Sequence, residues 1–175
     1  MSNIFKVADA FLRKDNLNAR QLQYLCYYYK GWSLALYDAD YLEDYNFYVS
    51  EIGPICEELL KEYGSAEDVK YAPEHKDLEL NNLERQLVEN VWATYGELTT
   101  YELMMNIKEE PPYLLARVGN IYEEDLIDEN IRVEHMEIYF NSLKNGETLP
   151  VEKYYPPYRT NTVNKGRVRR NKKTI

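Results

Sequence analysis

Leu17–Trp32, LNARQLQYLCYYYKGW, decides how the chain is read. Asn18 has the side chain of a helix N-cap, and Gln21 stands three residues on, where the reciprocal partner of a capping box belongs. From there Leu22, Leu25, Cys26, Tyr29, Ser33 and Leu36 return at helical spacing, so one face is expected to point inward. Tyr24, Tyr27, Tyr28 and Trp32 are more aromatics than that face can use. Successive helical positions point about 100° apart, so at least one of Tyr27, Tyr28 and Tyr29 is expected to leave the core. Tyrosine, of which the chain has 18, offers a wide ring with a polar tip and suits interfaces as well as cores.

Outward from this stretch the pattern remains helical. Upstream, Ile4, Val7, Ala8, Phe11 and Leu12 form an amphipathic stripe. The tyrosine-rich helix is expected to run from about Ala19 to Tyr37, and residues 38–50 to form a short hairpin or an irregular loop. Pro54 suits the first position of a third helix, which Gly64 stops. The polar residues 65–80, with Pro73 among them, read as an irregular connector. A fourth helix is expected from near Asn82 to Tyr95, burying Leu83, Leu87, Val91 and Trp92, with Gly96 closing it. Thr99 and Glu102 make a capping box for a fifth, which Pro111-Pro112 ends. The last spans about Val133–Leu143, with Met136, Tyr139, Phe140 and Leu143 at core spacing and Gly146 beyond it. The expectation is a mainly α fold, a single compact domain of about six helices over residues 1–149 with a short hairpin. An irregular basic tail rich in Tyr, Pro, Arg and Lys, residues 150–175, follows it.

Composition narrows the function class. A chain of 175 residues fits one domain with one core. Cys26 and Cys56 lie in apolar helical patterns without metal-ligand spacing and read as reduced structural thiols. The start, MSNIFKVADAFL, lacks a signal-peptide layout, and no apolar run approaches a membrane span. A soluble, cytoplasmic protein with no membrane partner is expected. Residues 150–175 hold eight Lys/Arg and one acid, a net +7, so residues 1–149 carry −16 within the chain's −9. An acidic body argues against a broad nucleic-acid surface and favours a cationic protein partner or docking of the tail on its own body.

Catalytic chemistry finds little footing, and the chain reads as a non-enzyme without cofactor or metal. His75 falls in the polar connector and His135 in the last helix, with no second histidine or cysteine pair at ligand spacing. No glycine-rich turn opens a helix to cradle phosphate. The acids Asp38, Asp40, Glu43 and Asp44 fail as a calcium loop, because Glu43 takes the place of the obligatory glycine and Val49 that of the bidentate glutamate.

The segment LNARQLQYLCYYYKGWSLAL resembles the opening helix of the SocA/GepA-like Panacea domain, matching it at Leu17, Leu22, Gln23, Leu25, Tyr27, Tyr28, Gly31, Trp32, Leu34, Ala35 and Leu36. VADAFL (7–12), Ile52-Gly53-Pro54-Ile55 and EPPYLLAR (110–117) resemble further family segments in the right order. Ala19, Tyr24, Ser50, Lys108 and Tyr113 depart from the family's usual residues. The resemblance implies a helical antitoxin of a toxin–antitoxin pair, encoded beside its toxin on a phage or mobile element. Such a protein neutralises the toxin by direct contact, in one branch by delivering it to a ClpXP-type protease. On that footing Leu22, Gln23, Leu25, Tyr27, Gly31, Gly53, Pro54 and Pro112 are expected to be structural. Contacts with the toxin are expected from Tyr24, Tyr28, Lys30 and Trp32, supported by Tyr113, Arg117 and the tail residues Tyr158, Arg167, Arg169 and Arg170. The alternative is a phage or mobile-element regulator whose basic, tyrosine-bearing tail touches nucleic acid, cations on phosphates and rings on bases.

Overall fold

α2 (Ala19–Tyr37) is the axis on which the other elements assemble. The computed structural model describes residues 2–70, 79–122 and 130–154. The Asn18 side chain accepts from Gln21 N while Gln21 returns to Asn18 N, completing the expected capping box. At the other end Asp38 closes the helix in the left-handed region, φ 51°, a conformation that aspartate tolerates better than most side chains.

Around this axis are α1 (Ile4–Leu12), α3 (Glu57–Tyr63), α4 (Asn82–Tyr95), α5 (Thr100–Glu109), α6 (Pro111–Tyr122) and α7 (Val133–Lys144). α1, α3, α4, α5 and α7 pack directly on α2, with α7 and α4 making the most extensive contacts. α6 is held through α5, α7 and the hairpin. Asn81–Glu84 and Thr99–Glu102 cap α4 and α5 reciprocally, so both starts follow local chemistry. α7 reaches α2 at Gly31, where a Cβ would stand 2.1 Å from the Phe140 ring; glycine is what lets the two helices meet there.

The fold is mainly helical, as expected, but has seven helices among the described residues instead of about six. The one not anticipated is α6. Pro111-Pro112 ends α5 and also starts the next helix, since prolines are accepted in a first turn where N–H groups lack intrahelical acceptors. Pro54 is likewise reassigned. It lies in a two-stranded antiparallel hairpin, β1 (Tyr48–Ser50) with β2 (Gly53–Ile55), opposite Val49, and α3 starts three residues later. In a two-strand ribbon every strand is an edge, so the missing proline N–H costs no ladder bond on the open side. Gly53, at φ 101°, makes the turn.

Burial departs from the sequence pattern at several positions: Leu36, Leu83 and Leu143 are exposed, whereas Val88 and the Glu84 side chain are buried. After Gly146 a 3₁₀ turn, Val151–Tyr154, returns the chain to α7, and Tyr154 is buried with its ring 6.0 Å from that of His135. Packing against the helices therefore continues past the boundary expected at residue 149. Val69 bridges to Leu17, fastening one end of the polar connector. Pro73, His75 and the tail from 155 onward lie outside the described residues. Among the described residues no helix is long and apolar enough to cross a membrane.

Candidate functional site

Every side chain from Leu22 to Lys30 is buried, so this stretch of α2 has no outward face. The expectation that one of Tyr27, Tyr28 and Tyr29 leaves the core is therefore corrected. Helices on all sides of α2 turn each of the three directions into an interior. The same fact corrects the expected toxin contacts at Tyr24, Tyr28, Lys30 and Tyr113, all about 1% exposed or less and spent on internal bonds.

Those bonds tie α2 to distant segments. The Tyr24 hydroxyl donates to Ile52 O, and the Tyr29 hydroxyl bonds Ser2 Oγ at 2.8 Å, which in turn donates to Glu84 Oε1 at 2.8 Å. Lys30 Nζ reaches Asp40 Oδ2 at 2.7 Å, Leu42 O at 2.8 Å and Tyr45 O at 3.0 Å. A buried ammonium with three acceptors is fully satisfied, and it folds the acidic loop after α2 back onto the helix. Gln23 pairs both ways with the Cys56 backbone, giving at 2.8 Å and 3.1 Å the two bonds that a neighbouring strand would give.

Two constellations stand out. In the first, aromatic rings enclose one acid. The Tyr28 ring stacks on Tyr95 (centroids 3.7 Å apart, planes 9° from parallel), and its hydroxyl donates to Glu110 Oε1 at 2.6 Å. Burial pushes the Glu110 carboxyl up to about 8, against the opposing effect of that hydrogen bond. Burial first, and the Glu110 charge second, push Tyr27, Tyr28 and Tyr139 well up. Burial also pushes Tyr95 up to about 12, although the Trp32 Nε1–H donates to its hydroxyl at 3.0 Å.

In the second, three helices grip the hairpin turn. Tyr113 of α6 donates to Ser50 O, Lys108 of α5 donates to Glu51 O at 2.8 Å, and Tyr24 of α2 holds Ile52 O. Within the turn, Ser50 Oγ donates to Gly53 O at 2.7 Å. Three consecutive carbonyls are thus each taken by a side chain from a different helix, and the turn is fixed at the surface with Glu51 exposed. Gly53 admits no side chain, since a Cβ would come 2.8 Å from the Tyr24 ring.

α5, which supplies Lys108 to this turn, also carries the most exposed large hydrophobic residue of the described chain. α5 directs Leu103 and Ile107 inward and Tyr101 and Met105 outward, 66% and 37% exposed. These two are one helical turn apart and form a strip flanked by the exposed acids Glu102 and Glu109. Leu60 of α3 is also exposed, above a shallow groove of about 40 Å³ lined by Ala19, Arg20, Tyr24, Ile52 and Pro54. A cleft of about 310 Å³ between α1 and α4 is of mixed charge, with Lys14 paired to Glu89 and Lys6 bonded to Glu79 O.

Of the remaining expected contacts, Trp32 is half-buried, edge-on to Phe140 with ring centroids 5.4 Å apart, and Arg117 is exposed. Tyr158, Arg167, Arg169 and Arg170 lie outside the described residues. Glu110, Tyr95, Tyr101, Met105 and Lys108 were not anticipated as site residues. For Tyr101 and Met105 the signal was present: they repeat at four residues beside Leu103 and Ile107, giving α5 two apolar stripes where burial needs one. Comparison of the chain with protein-family models, curated proteins and solved structures gave no match.

Proposed function

We propose that this chain is a cytoplasmic protein-binding module and not an enzyme, acting as an antitoxin that neutralises a cationic protein toxin by direct contact. The resemblance of Leu17–Leu36 to the Panacea helix supports the antitoxin class. The observation that carries the binding role is the Tyr101–Met105 strip, an aromatic and a methionine presented on a helix next to a turn held by three helices. Interface hot spots favour such a rigid, amphipathic anchor ringed by polar groups. The −16 body supplies long-range attraction to a basic partner. On this reading the contact face is the outward side of α5 with Glu51, and the tyrosines of α2 hold it in shape from behind.

The test is co-expression with the small open reading frame beside the gene, scored by pulldown and by growth rescue. Wild type is expected to form a complex and restore growth. Tyr101→Ala with Met105→Ala is expected to weaken the complex about 30-fold, equivalent to about 2 kcal/mol, with circular dichroism unchanged. Full rescue by a folded double variant would move the contact face elsewhere. Rescue without a stable complex, with toxin levels falling, would identify delivery to a ClpXP-type protease. The +7 tail favours one other reading, a mobile-element regulator contacting nucleic acid. Retention of DNA or RNA by the whole chain, lost on deletion of residues 159–175, would support that reading instead.

A further inference from the structure

We propose that Glu110 is a proton-operated latch, which in its neutral form seats the α5–α6 joint against α2 and on ionising releases α6. The joint is one residue wide. Glu110 N donates to Ile107 O and Glu110 O accepts from Leu114 N, each at 3.0 Å, so its backbone belongs to both helices. Its side chain turns inward from this joint into the aromatic cluster. Oε1 accepts from Tyr28, and Oε2 is buried with no hydrogen-bond partner among the described residues.

A carboxylate stripped of water needs several donors, and here one hydroxyl serves a group with two charged oxygens. Among the described residues the titratable groups facing it are phenols: Tyr27 and Tyr28 of α2, Tyr95 of α4 and Tyr139 of α7. Burial keeps all four neutral, so they bring no positive charge, and the single hydrogen bond from Tyr28 is set against the cost of burying a carboxylate. When the proton passes to water the charged acid is favoured by solvent, which lifting the joint would give it. That movement would withdraw Tyr113 from Ser50 O and slacken the turn that α6 helps to hold. The inference does not depend on the antitoxin reading.

The sign follows from the burial-driven rise of the carboxyl to about 8 from an ordinary value of 4.5. Closed, the acid keeps its proton; open, it loses it at ordinary carboxylate pH. The closed state is therefore fully favoured below about 4.5, loses ground as pH rises, and reaches its limit above about 8.

The test is amide hydrogen exchange of Leu114–Arg117 in the whole chain from pH 5 to 10, corrected for intrinsic chemistry. Wild type is expected to lose up to about tenfold in protection per pH unit between pH 5 and 8, then level off. Glu110→Gln is expected to remove that slope. Tyr28→Phe, which deletes the donor favouring the charged form, is expected to move the levelling-off point to higher pH. If either variant fails to fold, the carbon-13 shift of the Glu110 carboxyl in the wild-type chain decides the matter. A midpoint raised well above 4.5, with protection at Leu114–Arg117 lost over the same pH range, supports the latch, and a midpoint near 4.5 overturns it. A slope that survives in folded Glu110→Gln, or a flat wild-type profile, also overturns it.

Discussion

Lys30 shows how a residue that reads as a surface charge becomes a structural centre. Its ammonium is buried with one carboxylate and two carbonyls as acceptors, and all three belong to the loop that follows α2. The stem spans the helix surface while the charge fixes Asp40, Leu42 and Tyr45. Removing one partner of a buried ion pair leaves the other charged, desolvated and uncompensated. Lys30→Met is therefore expected to cost about 3–5 kcal/mol of unfolding free energy, read as a lowered midpoint in urea denaturation. Lys14, whose bridge to Glu89 lies at the surface, provides the contrast. Lys14→Met is expected to change stability by less than about 1 kcal/mol. If both variants behaved alike, the Lys30 network would not be what holds the loop.

At the level of elements, the hairpin turn is the part whose geometry rests most on other elements. Its three captured carbonyls make it a reporter of how α2, α5 and α6 are seated. Tyr113→Phe deletes one hydroxyl without disturbing ring packing. It is expected to cost about 1 kcal/mol globally and to raise amide exchange at Glu51 and Ile52 selectively, with α4 unaffected. A uniform rise across the molecule would mean the bond contributes only to global stability. What the sequence made legible divides along the same line. The starts of α2, α4 and α5 were readable because a capping box is complete within four residues. The ends of α2 and α4 and the course of α1 were readable from period and punctuation. Pro54 and Pro111 were not, because proline fits a first helical turn, an edge strand or a helix end equally well, and only tertiary neighbours choose among them. The burial of Tyr24, Tyr28 and Lys30 was misread for a related reason. Periodicity reports one inward face, but a helix surrounded on all sides has none outward, and nothing local to Tyr24–Lys30 reveals how many neighbours will arrive.

For the whole molecule the governing quantity is charge asymmetry. Arg159, Lys165, Arg167, Arg169, Arg170, Lys172 and Lys173 are the only charged residues between 159 and 175, so deleting that segment takes the chain from −9 to −16. If the tail has no contact with the partner, its positive charge only offsets the field of the body. Deletion is then expected to raise the association rate with a basic toxin several-fold at low ionic strength. The gain should vanish towards 0.5 M salt, where screening confines interactions to a few ångströms. The dissociation rate should stay unchanged, because the contact proposed on α5 is not touched. If the tail does meet the partner, the signs reverse. Deletion would then raise the dissociation rate at every salt concentration, and the association rate would gain little. Stopped-flow association and dissociation measured on both chains at two ionic strengths separates the two cases, because steering acts through the field before contact and a docked tail acts through bonds after it.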